Sequence, residues 1–264
     1  MADLKGRTAL VTGGGSGIGL GCAARFATEG AHVTVAGRTE SKLADAVEEI
    51  AAGAAPGVTV QYIVCDVTSE SDVEAAVAKA SEPAGGLDVL FACAGGSLHF
   101  GPIVGSDVGA WRATVDLNLV GTFLSIKHAG AAMITRGGGS IIGMSSIAGH
   151  STHKHMSAYC ASKAGIEMLV KCAADELGEH NIRVNAVQPG IIGTDLMAPI
   201  AAGGPVLDSY YENMPIARVG GVDDVAAVVS FLAGPESAWI TGQMIGIDGG
   251  HQLRAGPDFT RMMS

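Results

Sequence analysis

Positive charge is scarce in this 264-residue chain: 16 Lys and Arg stand against 26 Asp and Glu, for a net charge of −10. A nucleic-acid surface needs clustered Lys and Arg to neutralise phosphates, so no nucleic-acid partner is expected. No block of like charges marks an interaction tail. Long apolar runs are missing as well. No segment approaches the roughly 18 uninterrupted apolar residues that a membrane span requires, and the polar stretch Met1–Arg7 carries no apolar signal region. Cysteine is sparse and unpatterned: Cys22, Cys65, Cys93, Cys160 and Cys172 are odd in number and contain no C-x-x-C pair. They read as free thiols in a reducing compartment rather than as a disulfide framework. The expectation is a cytoplasmic protein with no membrane partner. No Pro/Ser linker and no repeat at a solenoid period divides the chain. Residues 1–264 are therefore expected to form one domain, which at this length can bury a large core.

What the chain has in abundance is apolar residues, at 48%, and glycine, with 39 Gly beside only 9 Pro. Gly and Pro together stay below the roughly 25–30% of low-complexity chains, so the glycines mark tight turns and close backbone approaches. Apolar strands alternate with helices along the whole sequence. Strands are expected at Thr8–Val11, His32–Ala36, Val58–Val64, Leu87–Ala92, Ser140–Met144, Arg183–Val187 and Met244–Ile247. Helices are expected at Ile18–Glu29, Ser41–Ala52, Asp72–Ala80, Trp111–Ile134, Ala158–Leu177 and Asp223–Leu232. Wholly apolar strands alternating with helices predict an α/β fold whose parallel sheet is covered on both faces. Ile191–Pro215 reads as the one long irregular stretch, a candidate lid or binding loop.

The first strand-to-helix turn reads Thr12-Gly13-Gly14-Gly15-Ser16-Gly17-Ile18-Gly19. Gly13 permits the sharp turn out of the strand, and Gly17 and Gly19 let amides and the helix N-terminus approach a pyrophosphate. No Gly-Lys-Ser/Thr follows, which excludes a P-loop. The spacing is G-x-x-x-G-x-G rather than G-x-G-x-x-G, and a glycine turn alone is also what any tight βα junction shows.

This turn, followed much later by Tyr159-Cys160-Ala161-Ser162-Lys163, resembles the short-chain dehydrogenase/reductase family. Further matching pieces occur in the family's order: Asp66 after the third strand, Asn118 in Asn-Leu-Val-Gly, Ser145-Ser146 after the fifth, and Pro189-Gly190 with Thr194 after the sixth. The resemblance covers nearly the whole chain. It implies a Rossmann-type, doubly wound, seven-stranded parallel sheet in a single domain, a nicotinamide cofactor and a homotetramer. It further implies cofactor contacts from Gly13, Ser16, Gly17, Ile18, Gly19, Asp66, Val67, Ala94, Gly95, Pro189, Gly190 and Thr194, with Asp66-Val67 flanking the adenine.

Tyr159 and Lys163 lie four apart on an expected helix and so share one face. A free Tyr ionises near pH 10, too high for efficient proton exchange at neutrality, and a nearby ammonium is expected to lower that value. Tyr159 then donates a proton to a carbonyl oxygen as hydride arrives from the cofactor, or both steps run backwards. The resemblance adds that Lys163 also holds the nicotinamide ribose. Ser146 stands thirteen residues before Tyr159, the family's offset for its catalytic Ser, whose hydroxyl bonds the substrate oxygen as charge develops there. Asn118 matches the Asn that supports a water-linked proton path to the Lys. Alone, Y-x-x-x-K is an ordinary surface pair; with Ser146, Asn118 and the glycine turn, a catalytic set is the better reading.

The tip of the second strand reads Val35-Ala36-Gly37-Arg38. An acid there would hold the ribose hydroxyls of NAD and repel the 2′-phosphate of NADP. Gly37 stands in its place, and Arg38 offers a planar fork of donors to a phosphate. NADP(H) is favoured and NAD(H) stays open. After the fourth strand the family's Asn-Asn-Ala-Gly is replaced by Ala92-Cys93-Ala94-Gly95, which removes polar bracing and predicts altered stability more than lost chemistry. His150, His153 and His155 lie in the segment that lines the family's substrate pocket; their spacing fits no zinc signature, and no metal is expected. Met197, Ile200, Leu207, Tyr210, Tyr211 and Met214 make the lid candidate apolar, so the carbonyl or alcohol substrate is expected to carry apolar surface. His251–Ser264 reads as a C-terminal extension able to reach another subunit. Two rivals accompany this oxidoreductase reading. One is a cofactor-binding regulatory or structural protein without turnover, which the complete Ser146–Tyr159–Lys163 set opposes. The other is an epimerase or dehydratase, which would carry a longer C-terminal substrate domain.

Overall fold

Side chains of a strand alternate between the two faces of its sheet, so a run with no polar side commits both faces to burial. The computed structural model, which describes residues 3–253, follows that rule. The strands β1 (Thr8–Thr12), β2 (His32–Gly37), β3 (Val60–Val64), β4 (Val89–Ala92), β5 (Gly139–Met144), β6 (Ile182–Pro189) and β7 (Met244–Ile247) form one parallel sheet in the order β3-β2-β1-β4-β5-β6-β7. β1 and β4 are buried at every position, whereas the edge strand β3 is mostly half-buried. The seven strands fall where the sequence places them, with β3 and β4 starting two residues later than expected.

Helices α1 (Gly17–Thr28), α2 (Glu40–Gly53), α3 (Glu70–Ser81), α4 (Val108–Val115), α5 (Gly121–Arg136), α6 (Ser157–Leu177), α7 (Ala198–Ala201), α8 (Pro205–Asn213) and α9 (Val222–Ala233) complete the chain. One face of the sheet is covered by α1 and its neighbours α2 and α9, around a core that includes Phe26, Phe91, Val225 and Val229. The opposite face is covered by α3, α5 and α6 around Leu90, Met133, Ile141 and Ile166. The fold is therefore the doubly wound α/β sheet with helices on both faces.

The strand order reverses between β1 and β4. There the connections leave in opposite directions and open a crevice at the carboxyl ends of the strands. The long helix expected at 111–134 runs from 108 to 136, with a π-helical segment, Asp116–Val120, between α4 and α5. By length and composition it passes for a membrane span, yet 56% of its apolar window is buried in the protein, as befits a core helix.

The stretch 191–215 is not irregular, which corrects the sequence reading. It holds a 3₁₀ turn, Asp195–Met197, and the short helices α7 and α8. Gly203 and Gly204, both at positive φ, separate the two helices and hide their periodicity. Leu207 and Met214 bury themselves with Ile191 in a small third cluster, against which Met197, Ile200, Tyr210 and Tyr211 pack. Of the expected extension His251–Ser264, residues 254–264 lie outside the described residues.

Candidate active site

The glycine turn after β1 is tight because neighbouring backbone and side chains occupy the space a Cβ would need. Gly13 has φ +69°, and a Cβ there would lie 2.9 Å from Ala94 Cα. A Cβ on Gly19 would lie 2.8 Å from the Gly13 carbonyl carbon, and closer still to its oxygen. Gly17, at φ +54°, has Thr194 Cγ2 within 3.3 Å of its would-be Cβ. Thr12 Oγ1 accepts from the Cys93 and Ala94 amides at 3.1 and 3.2 Å, tying β1 to the loop after β4. The predicted residues Gly13, Gly17, Gly19, Ala94, Gly95 and Thr194 thus meet around one crevice. Ser16, exposed and extended, leads into α1, and Ile18 is half-buried in its first turn. This backbone cradle at a helix N-terminus, with no side chain filling it, fits a dinucleotide pyrophosphate.

The other predicted cofactor contacts lie around the same edge. Arg38 is exposed just beyond β2. Asp66 Oδ1 accepts from the Thr68 amide and hydroxyl, and Val67 is buried beneath Gly121. Pro189 ends β6, and a Cβ on Gly190 would meet Asp248 Cα at 3.0 Å.

Tyr159 and Lys163 occupy successive turns of α6. The Lys163 ammonium is 5.4 Å from the centroid of the Tyr159 ring, and its side chain is 2% exposed. Nζ donates to the Met144 carbonyl at 2.7 Å, at the end of β5. Ser146, two residues on, is hydrogen-bonded to the Tyr159 phenol and accepts from the Ala148 amide at 3.2 Å. Asn118 is fully buried in the π-helical segment, a distortion that often marks functional sites. Its Nδ2 donates to the Gly96 and Thr114 carbonyls, both at 2.7 Å, and its Oδ1 accepts from the Gly96 amide at 3.1 Å. The amide therefore braces the loop after β4. A Cβ on Gly95 would lie 2.5 Å from Asn118 Oδ1 and 3.5 Å from Lys163 Nζ, so the four predicted catalytic residues and this loop converge.

The electrostatics depart from expectation. Burial pushes Tyr159 up to about 12, and the Ser146 hydrogen bond offsets only part of the rise. Lys163 is itself drawn down to about 8 by burial. Desolvation dominates the Tyr159 shift, Lys163 is not among its causes, and the ammonium bonds instead to the Met144 carbonyl, so the phenol is not lowered as the sequence argument expects. Tyr159 is an acid at neutral pH, beside an ammonium near its own titration point. Burial also pushes Cys93 up to about 12, which keeps the thiol protonated near neutrality and disfavours it as a nucleophile.

Sequence reasoning passed over a polar network behind this set. Glu167 Oε1 accepts from Ser145 Oγ at 2.8 Å and from Gln188 Nε2 at 2.6 Å. Glu167 stands four residues after Lys163, so helical spacing alone could have flagged it. Tyr210 of α8 acts electrostatically on Tyr159, and its ring lies 5.3 Å from that of His251. Burial, helped by His153 and His150 and opposed by Asp248, lowers the pKa of His251. Among the described residues no group of three His, Cys, Asp or Glu forms a metal site.

Comparison with known proteins agrees with this geometry. Residues 13–252 match the family model described as enoyl-(acyl carrier protein) reductase. A short-chain dehydrogenase/reductase of Armillaria gallica is 41% identical, over 93% of this chain and 96% of its own length. A 2,5-dichloro-2,5-cyclohexadiene-1,4-diol dehydrogenase of Sphingobium indicum is 37% identical, over 94% and 96%. The solved structure of a short-chain type dehydrogenase/reductase from Mycobacterium ulcerans superimposes with a TM-score of 0.93 at 45% identity, covering 98% of this chain and 94% of that one.

The cradle makes a direct prediction. Gly19→Ala drives a methyl into the Gly13 backbone, and dinucleotide affinity measured by calorimetry is expected to fall at least tenfold, about 1.4 kcal/mol. Circular dichroism should show the helices intact, and unchanged affinity would remove the turn from the cofactor site.

Proposed function

Because the chain belongs to the short-chain dehydrogenase/reductase family, oxidoreductases of alcohol and carbonyl groups, we propose that it transfers hydride reversibly between NADP(H) and a ketone or secondary alcohol with apolar surface. The observation that carries this reading is the convergence of Ser146, Tyr159 and Lys163 beside the glycine cradle. The glycine cradle and Lys163 would hold a nicotinamide cofactor, which would supply or take up the hydride. In reduction Tyr159, protonated at neutral pH, gives its proton to the carbonyl oxygen while Ser146 Oγ–H bonds the same oxygen. The Lys163 ammonium stabilises the phenolate that forms, and Asn118 holds the loop after β4 against it, with water carrying the replacement proton. The complete set argues against a binding protein without turnover.

Arg38 beyond β2, with Gly37 where an acid would sit, supports NADP(H) over NAD(H). Asp66 and Val67 flank the adenine on this reading. Exposed Leu98, Phe100, Ile103 and Val104 after β4 face the need for an apolar substrate, as do Leu196 and Val206 of the lid. The Sphingobium indicum relative is named for a chlorinated cyclohexadiene diol, which supports a substrate of this kind. A 3-oxoacyl thioester or a steroid would also offer it. Short apolar helices over the site, separated by Gly203 and Gly204, suit a closing lid. A cytoplasmic homotetramer is the assembly we infer, supported by exposed Phe123, Met168 and Trp239; sedimentation equilibrium should return four chains, and a monomer would refute it.

The deciding experiment couples NADPH or NADH oxidation to a panel of ketones. Turnover should favour NADPH, and Tyr159→Phe should reduce kcat at least a thousandfold with cofactor affinity retained. Activity surviving in Tyr159→Phe overturns the assignment, and a strong NADH preference overturns the role of Arg38.

The pH dependence follows from the two shifted groups. Lys163 is charged below about 8 and neutral above it, whereas Tyr159 keeps its proton to about 12. Reductive kcat/KM should therefore be flat near neutrality and fall as pH rises through about 8. A profile flat to pH 10 would remove Lys163 as the titrating group.

A further inference from the structure

The hydride-transfer machinery leaves one side of the cleft unexplained. His150 follows the 3₁₀ turn Ile147–Gly149 that Ser146 caps. Its Nδ1 lies 3.2 Å from Gln188 Nε2 and 4.0 Å from Glu167 Oε1. Gln188 Nε2 also sits 2.6 Å from Glu167 Oε1, the oxygen that accepts from Ser145. These contacts fix the orientation of the amide. Turned over, Gln188 would press its carbonyl oxygen against a carboxylate, acceptor on acceptor.

An amide nitrogen only donates, and it carries two hydrogens. Gln188 spends one on Glu167 and the other on His150 Nδ1. His150 Nδ1 is then the acceptor, and the ring proton sits on Nε2. That nitrogen belongs to the ring edge turned away from Glu167, on a side chain 29% exposed. Gly149 explains how close the turn comes to this anchor: a Cβ there would overlap the Glu167 carboxylate.

Glu167 of α6 and Gln188 of β6 contact His150, and His251 after β7 lies within its electrostatic reach. His153 has Nδ1 3.2 Å from the Ser151 carbonyl. His251 has a buried Nδ1 with no hydrogen-bond partner among the described residues. His150 and His153 both bear electrostatically on His251, whose ring contacts Tyr210, and Tyr210 bears on Tyr159. Imidazoles thus cluster on this side of the site; of the carboxylates near them, Glu167 is occupied by Ser145 and Gln188, and Asp248 bears on His251.

We propose that His150 is a specificity-determining residue, held by Gln188 and Glu167 in its Nε2–H form so that it donates a hydrogen bond to an oxygen the substrate carries in addition to its reacting carbonyl. The substrate class is then an oxygenated ketone, such as a hydroxyketone, diketone or keto ester, rather than a plain hydrocarbon ketone. The substrate half rests on the oxidoreductase reading above; the tautomer half does not. A donor left without its acceptor disfavours the analogue that lacks the oxygen, which turns a fixed proton into selectivity.

Two measurements test it. In histidine-selective ¹⁵N-labelled protein, two-bond ¹H–¹⁵N spectra at pH 7.5, assigned with His150→Asn, should show His150 neutral with its proton on Nε2. Gln188→Leu should turn that pattern into a mixture of tautomers. A proton on Nδ1, or on both nitrogens, overturns the proposal. The second measurement compares kcat/KM for a vicinal hydroxyketone and for the same ketone with methyl in place of hydroxyl. His150→Phe should lower this ratio at least tenfold, mainly through KM, and His150→Gln, which keeps a donor, should restore part of it. An equal loss on both substrates makes His150 structural and overturns the specificity role. Absence of turnover with either ketone overturns the oxidoreductase reading and the substrate half with it, while the spectrum still decides the tautomer.

Discussion

A lysine ammonium at 2% exposure is costly to bury, and much of the site is arranged around it. Taking an ammonium out of water costs several kcal/mol even after relaxation. Lys163 recovers part of this through one short bond to the Met144 carbonyl, and its pKa falls to about 8. That bond, with the Ser145 hydroxyl donating to Glu167, fastens α6 to the carboxyl end of β5. It thereby sets the position of Ser146, two residues beyond Met144, relative to Tyr159, one helical turn before Lys163. Proton donor, hydroxyl and ammonium are held by one packing decision.

The same constraint explains why the surroundings are so poor in side chains. Gly95 lies where a Cβ would strike Asn118 and approach Lys163, and Gly13 lies where one would strike Ala94. Backbone replaces side chain wherever the β1 turn, the β4 loop and α6 meet. Asn118 then satisfies the polar atoms of that loop from a π-helical segment, whose widened turn carries a fully buried amide that an unbroken α-helix would aim elsewhere.

Much of this was legible before any coordinates. Apolar runs such as Thr8–Val11 and Ser140–Met144 have no polar face, and burial on both sides is the only arrangement that suits them. Tyr159 and Lys163 could be picked out because their spacing survives translation into a helix, and Ser146 because its offset from Tyr159 resembles that of the short-chain dehydrogenase/reductase family. Three things were hidden. The Ile191–Pro215 stretch looked irregular because Gly203 and Gly204 cut its helices too short to show a period. The Tyr159 ionisation went the other way because burial is a property of the assembled crevice, whereas the lysine four residues on is visible in the sequence. Gln188 and Glu167 went unnoticed because they are 21 residues apart and meet only once β6 and α6 pack together.

That last pair marks where generic chemistry ends and this chain's own begins. On the proposed reading, the glycine turn, serine, tyrosine and lysine serve hydride and proton transfer with a bound nicotinamide, and they say nothing about what surrounds the carbonyl. Selectivity has to come from groups whose protons are fixed, because a rotatable or exchangeable donor adapts to any ligand. Around His150 the fixing is done from the protein side: a carboxylate orients an amide, and the amide assigns the imidazole its tautomer. Each link is a donor facing an acceptor with no free alternative. On that reading, exposed apolar residues such as Phe100 and Leu196 together with an ordered donor at His150 would suit a substrate with the same two-sidedness. Its hydrocarbon surface would lie under Leu196 and Phe100, and its second oxygen would be turned toward the histidines.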